Sequence, residues 1–95
     1  MSNANVKINE EVKAKSQSGW VLAFQYCTYN YDDGSTQNGY RFIWYRPDGT
    51  LQAARGQARI PSMRSALMLI GEAVRKGWAF KNVENDTLTL FFKDE

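Results

Sequence analysis

Between Gly39 and Trp78 the chain changes its period. The stretch reads GYRFIWYRPDGTLQAARGQARIPSMRSALMLIGEAVRKGW. Tyr40, Phe42 and Trp44 alternate with Arg41, Ile43 and Tyr45, the period of a β-strand. Pro47-Asp48-Gly49 fits a turn, since proline fixes one φ and glycine frees another. A weaker strand is expected over Thr50–Gln57, where Ala53, Ala54 and Gly56 are small enough to let another element approach. After Pro61 the apolar residues recur at three and four. Ser62–Lys76 therefore reads as a helix with Ala66, Leu67, Ile70, Ala73 and Val74 on one face and Met63 extending it. Ser62 can cap its start. Gly77 suits the left-handed position past its end, and Arg75 and Lys76 oppose the negative end of the dipole.

The rest of the chain is read outward from this stretch. Trp20, Leu22, Phe24, Tyr26 and Thr28 alternate with Val21, Ala23, Gln25, Cys27 and Tyr29, which predicts a long strand over Trp20–Tyr31 with Trp20, Leu22 and Phe24 toward the core. Asp32–Gly39 is a loop by composition. Residues 1–17 are polar and open to two readings, a short helix over Asn9–Lys15 or a disordered tail. Trp78–Val83 is a candidate short strand and Thr87–Phe92 a clear one. The expectation is one α+β domain over residues 18–95: an antiparallel meander of three strands, one helix packed on it, and one or two C-terminal strands.

The residue inventory narrows the chemistry. There is no histidine and a single cysteine, Cys27. A zinc site or a nucleophile-histidine pair has no ligands to draw on, so neither metal nor cofactor is expected, and the chain reads as non-enzymatic. Glu10-Glu11 and Asp32-Asp33 are adjacent carboxylates whose side chains diverge on regular structure, and read as solvated charge. One thiol cannot form an internal disulfide, and no apolar run suggests a secretory signal or a membrane span, so a cytoplasmic location is expected.

What remains is charge and aromatics. Five of the six arginines lie between Arg41 and Arg64 with only Asp48 opposing them, a local charge of +5 − 1 = +4 in a chain of net +2. Arg41 and Tyr45 share a strand face, Arg55 and Arg59 follow on the next strand and its exit, and Tyr29 and Tyr31 come from the strand before. On one sheet surface these six would form a nucleic-acid-binding site for a single strand: guanidinium groups neutralise phosphates and rings stack on unpaired bases. The alternative is that the excess of aromatic residues and the small groups at Gly71 and Ala53-Ala54-Gly56 serve contact with a second copy, a homodimeric interaction module.

The order strand, Asp48-Gly49 turn, strand, then Ala54-Arg55-Gly56-Gln57-Ala58-Arg59-Ile60 leading into a helix resembles the single-stranded-DNA-binding domain of the positive-cofactor-four coactivators and the related repeat of Pur-alpha proteins. The resemblance covers Arg41–Ala73, about a third of the chain. It implies a curved antiparallel sheet, a dimerising helix and single-stranded DNA or RNA tracked along the sheet. Arg55 and Arg59 match that family's basic segment between last strand and helix, and Arg41 the strand before it. The chain departs in its C-terminal strand segments and in the alanines that dilute the basic segment.

Overall fold

The computed structural model describes residues 4–52 and 58–81. Strands β1 (Ala4–Lys15), β2 (Val21–Tyr31) and β3 (Thr36–Tyr45) form an antiparallel sheet in the order β1-β2-β3, and helix α1 (Met63–Lys76) follows. The α+β meander expected from the sequence is present, and β2 and β3 are two of its expected strands, but the third strand of the described sheet is β1. The polar N-terminal segment supplies the first strand in place of a helix or a tail. β2 would otherwise carry a long edge of unpaired backbone donors and acceptors, and pairing with β1 satisfies it from Val21↔Lys15 to Tyr31↔Ala4. Among the described residues β1 is then an edge strand, and its Lys7, Glu10, Glu11, Lys13 and Lys15 are charges of the kind that protect edges from further pairing. A register shift between Ile8 and Glu10 leaves Asn9 as an extra residue, whose amide donates to Thr28 Oγ1 at 2.9 Å.

One turn design is used three times. Ser16–Trp20, Tyr31–Ser35 and Arg46–Thr50 each close with a hydrogen bond from the first residue's N–H to the fifth's carbonyl, and from the fourth's N–H to the first's carbonyl. The fourth residue is Gly19, Gly34 or Gly49, with φ of 94°, 88° and 92°. This is the three-residue hairpin, a type I turn followed by a left-handed residue, whose geometry suits the twist of the strands it joins. Asp33 and Asp48 lock the second and third turns by accepting from the N–H and the hydroxyl of Ser35 and Thr50. The turn at Asp33-Gly34 shortens the expected loop, and Thr36–Gly39 pair in β3 instead. After the third turn the chain starts back: Leu51 bridges Tyr45, and the Gln52 N–H donates to the Trp44 carbonyl at 2.9 Å. The remainder of the strand expected over Thr50–Gln57 lies outside the described residues. So does the expected strand Thr87–Phe92, whereas Trp78–Lys81 form a turn rather than the start of a strand.

The helix is capped as expected. Ser62 accepts from the Ser65 N–H, and Gly77 takes the left-handed position with φ 90°. Its inward face differs from the expected one by about a quarter-turn. Ala66, Leu69 and Ala73 are buried, while Leu67 and Val74 are exposed. Leu69 and Ala73 join Val12, Leu22, Phe24, Tyr26 and Trp78 in the core, and Tyr40, Phe42 and Trp44 pack against it. Phe24 lies at the centre, its ring 4.8 Å from Phe42 and 5.6 Å from both Tyr40 and Trp78. Such pairs contribute ~0.5–1.5 kcal/mol each beyond their burial. The Tyr40 hydroxyl ties the helix exit to the sheet, donating to the Trp78 carbonyl at 2.7 Å and accepting from the Lys81 N–H at 2.9 Å.

Candidate nucleic-acid interface

With the helix on the Leu22–Phe24–Tyr26 side, alternation sends Val21, Ala23, Gln25, Cys27, Tyr29 and Tyr31 to the other side of β2. Cross-strand pairing brings Tyr45, Ile43 and Arg41 of β3 beside Val21, Ala23 and Gln25, and Lys15, Lys13 and Glu11 of β1 to their other flank. Arg41, Tyr45, Tyr29 and Tyr31 therefore share one sheet face, as the sequence suggested. Arg59 does not join them. Its carbonyl accepts from the Trp44 indole N–H at 2.7 Å, and Trp44 packs on the helix side. Arg55 lies outside the described residues.

The face is built around Gln25, whose side chain is completely buried. Its carbonyl oxygen accepts from Arg41 Nε at 2.7 Å and faces the Cys27 thiol at 3.7 Å. Its amide nitrogen donates to Glu11 at 2.5 Å and lies 3.2 Å from the Tyr45 hydroxyl. That hydroxyl donates to the same Glu11 oxygen at 2.5 Å. The other Glu11 oxygen meets Lys13 at 3.6 Å, and the Lys13 ammonium stands 4.5 Å from the centre of the Tyr45 ring. One amide thus ties all three strands together, and no buried side-chain polar atom among the described residues lacks a partner.

This packing sets the acid–base character of the face. Burial, reinforced by hydrogen bonding to the Glu11 carboxylate, pushes the Tyr45 phenol up to about 12. Burial also raises the Cys27 thiol, more than the nearby Arg41 lowers it, so Cys27 is the inert buried thiol its strand position suggested. Tyr29 is raised by burial first, then by Cys27. At the far end the Tyr31 hydroxyl reaches Gln37 at 3.4 Å. The charges facing this side are Lys13, Lys15 and Arg41 against Glu11, or +3 − 1 = +2.

Sequence reading did not single out Lys13 or Gln25, and it took Glu11 for solvated charge, whereas the strand pairing turns its carboxylate onto Gln25 and Tyr45. The signal for Gln25 was present: a long amide between Ala23 and Cys27, on an otherwise apolar run, needs partners if the run is buried. Glu11 carried no such signal, because its role requires β1 to be a strand. Among the described residues no group of three acidic, cysteine or histidine side chains is placed to hold a metal ion, and no helix is long and apolar enough to cross a membrane. No family model matches the chain, and no curated protein or solved structure is significantly similar to it.

Proposed function

We propose that the chain is a non-enzymatic binding module for single-stranded nucleic acid, working through the sheet face opposite α1. The observation that carries the reading is the convergence of Tyr29, Tyr31, Arg41 and Tyr45 on that face, flanked by Lys13 and Lys15. Rings offer every base the same stacking surface, and the cations track phosphates without reading sequence. The resemblance of Arg41–Ala73 to positive-cofactor-four and Pur-alpha domains points to the same reading by analogy. A single buried thiol suits a reducing compartment such as the cytoplasm.

The test is fluorescence anisotropy of a labelled oligonucleotide at low salt. With Lys13, Lys15 and Arg41 contributing, log K should fall with log salt at a slope of ~−2. Arg41→Glu should weaken binding several-fold or more. Absence of any binding at the lowest salt removes the reading.

A second reading, a homodimeric interaction module, is favoured by the outer side of α1. Met63, Leu67, Met68 and Val74 are exposed there, and Phe80 beyond the helix is 84% exposed. Gly71 lies among them with no heavy atom of the described residues within 4 Å of where a Cβ would stand. A mid-helix glycine costs ~1 kcal/mol against alanine, and no contact within the described residues explains it. Sedimentation equilibrium decides: a dimer weakened by Leu67→Glu supports this reading, and a monomer at high concentration ends it.

A further inference from the structure

A concavity lies on the helix side of the sheet, at the end where the first and third turns meet. It is a cleft of about 270 Å³ lined by Ser16, Ser18, Trp20, Trp44 and Gln52. Trp20 and Trp44 form its corner, their ring centres 6.4 Å apart and their planes at 81°. The corner is held from several sides. The Trp44 indole N–H is fixed on the Arg59 carbonyl, and its backbone carbonyl accepts from the Gln52 N–H. The Ser16 hydroxyl donates to the Trp20 carbonyl at 2.8 Å and lies 2.9 Å from that of Ser18. The two turns touch, since a Cβ on Gly19 would come within 3.3 Å of Pro47.

The lining specifies a class of occupant. Among the described residues no charged side chain lines the cleft, and its indole, hydroxyl and amide groups suit a neutral group. Two indoles at right angles give a flat group one face to stack on and one wall to abut. The volume is at the small end for ligand sites, which start at ~300 Å³, and so fits a single ring system rather than a larger molecule. The Gln52 side-chain amide has no hydrogen-bond partner among the described residues. It offers a donor and an acceptor side by side, the pattern that pairs with the edge of adenine. Arg46 and Arg59 stand beside the cleft rather than in it: Arg46 is anchored on the Leu51 carbonyl at 2.6 Å, and Arg59 is joined to Trp44 through its own carbonyl.

We propose that the Trp20–Trp44 cleft binds one neutral, planar nucleobase, stacked on an indole and held at its edge by Gln52. The base comes either from a free nucleoside or from an unpaired position in a strand. The site stands on the face opposite Arg41 and Tyr45, so it does not depend on the sheet-face reading above.

The experiment is an NMR titration of the full chain with adenosine, with methyl glucoside as a second probe and a short single-stranded oligoadenylate as a third. Adenosine should shift the Trp20 and Trp44 indole signals and the Gln52 side-chain amide saturably, with a Kd on the order of 1 mM for so small a ligand. Gln52→Ala should weaken this about tenfold, the effect of losing a paired base edge. Because Gln52 meets Trp44 through its backbone, that variant keeps the fold even where Trp44→Ala does not. Arg41→Glu should leave the adenosine shifts unchanged, which separates failure of the cleft from failure of the sheet face. Competition between oligoadenylate and adenosine would identify a strand as the source. Adenosine shifts without effect of the oligonucleotide would identify the free nucleoside. Saturation by methyl glucoside in place of adenosine, no saturable shift at all, or unchanged affinity in Gln52→Ala each overturns the proposal.

Discussion

The two faces of β2 are buried for different reasons. On the helix side Leu22, Phe24 and Tyr26 are covered by α1 and by rings from β3 and Trp78, and the hydrogen bonds made there by Tyr40 and Trp44 run to backbone groups rather than between side chains. On the other side Ala23, Gln25 and Cys27 are buried as deeply, yet Gln25 engages Glu11, Arg41 and Tyr45 through its amide. The first face is set by the amount of apolar surface removed from water, which is tolerant of shape. The second is set by the pairing of polar groups in a low-dielectric setting, where one missing partner is costly. A face of the second kind can hold arginine and tyrosine in fixed positions without an apolar core beneath them.

The sharpest separation comes from Phe24→Ala. Phe24 meets Tyr40, Phe42 and Trp78, and its loss should cost ~3–5 kcal/mol of stability. Denaturant unfolding measures it, and an unchanged midpoint would mean that the helix-side core is not the main support of the fold. Gln25→Leu should follow at ~1–3 kcal/mol, because Arg41 Nε and Glu11 each lose a buried partner while the volume is roughly kept. If Gln25→Leu instead stabilises the chain, the polar face behaves like an apolar one and the contrast fails.

The sequence makes the helix-side face legible and the other face only half so. Period-two alternation places Trp20, Leu22, Phe24, Phe42 and Trp44 together, and rings that large have few places to go. The ends of α1 are legible as well, since Ser62 and Gly77 are chosen by local backbone chemistry. Its inward face is not. Ala66-Leu67-Met68-Leu69-Ile70 is apolar nearly all round, so several rotations bury similar area, and contact with Val12 and Trp78 selects Leu69 over Leu67. β1 is hidden for a related reason. Val6, Ile8, Val12 and Ala14 alternate weakly among charges, and only the unpaired edge of β2 makes a strand of them. Because Glu11 and Lys13 enter the site through β1, that half of the site is invisible until the pairing is known. Arg59 shows the opposite limit: charge clustering in sequence says nothing of which side of a sheet an exit segment leaves by.

The smallest expected effect is also the most diagnostic of the polar face. Tyr45→Phe removes one hydroxyl and keeps the ring under Lys13, so it should cost ~1 kcal/mol near neutral pH. Its signature is in alkali. The phenol sits at about 12 in the folded chain against an ordinary 10.0. Below pH 10 both states hold the proton, and the stabilisation is fully present. As pH rises from 10 toward 12 the unfolded chain loses that proton while the folded chain keeps it, so unfolding releases a proton and stability falls. The wild type should therefore lose more stability than Tyr45→Phe over that window, whatever the other tyrosines contribute, since they are common to both. Parallel curves for the two proteins would mean that the Tyr45 hydroxyl is wet and unbonded to Glu11. The face opposite the helix would then be an ordinary solvated surface, and its arginine and tyrosines would lack the fixed placement that the buried network provides.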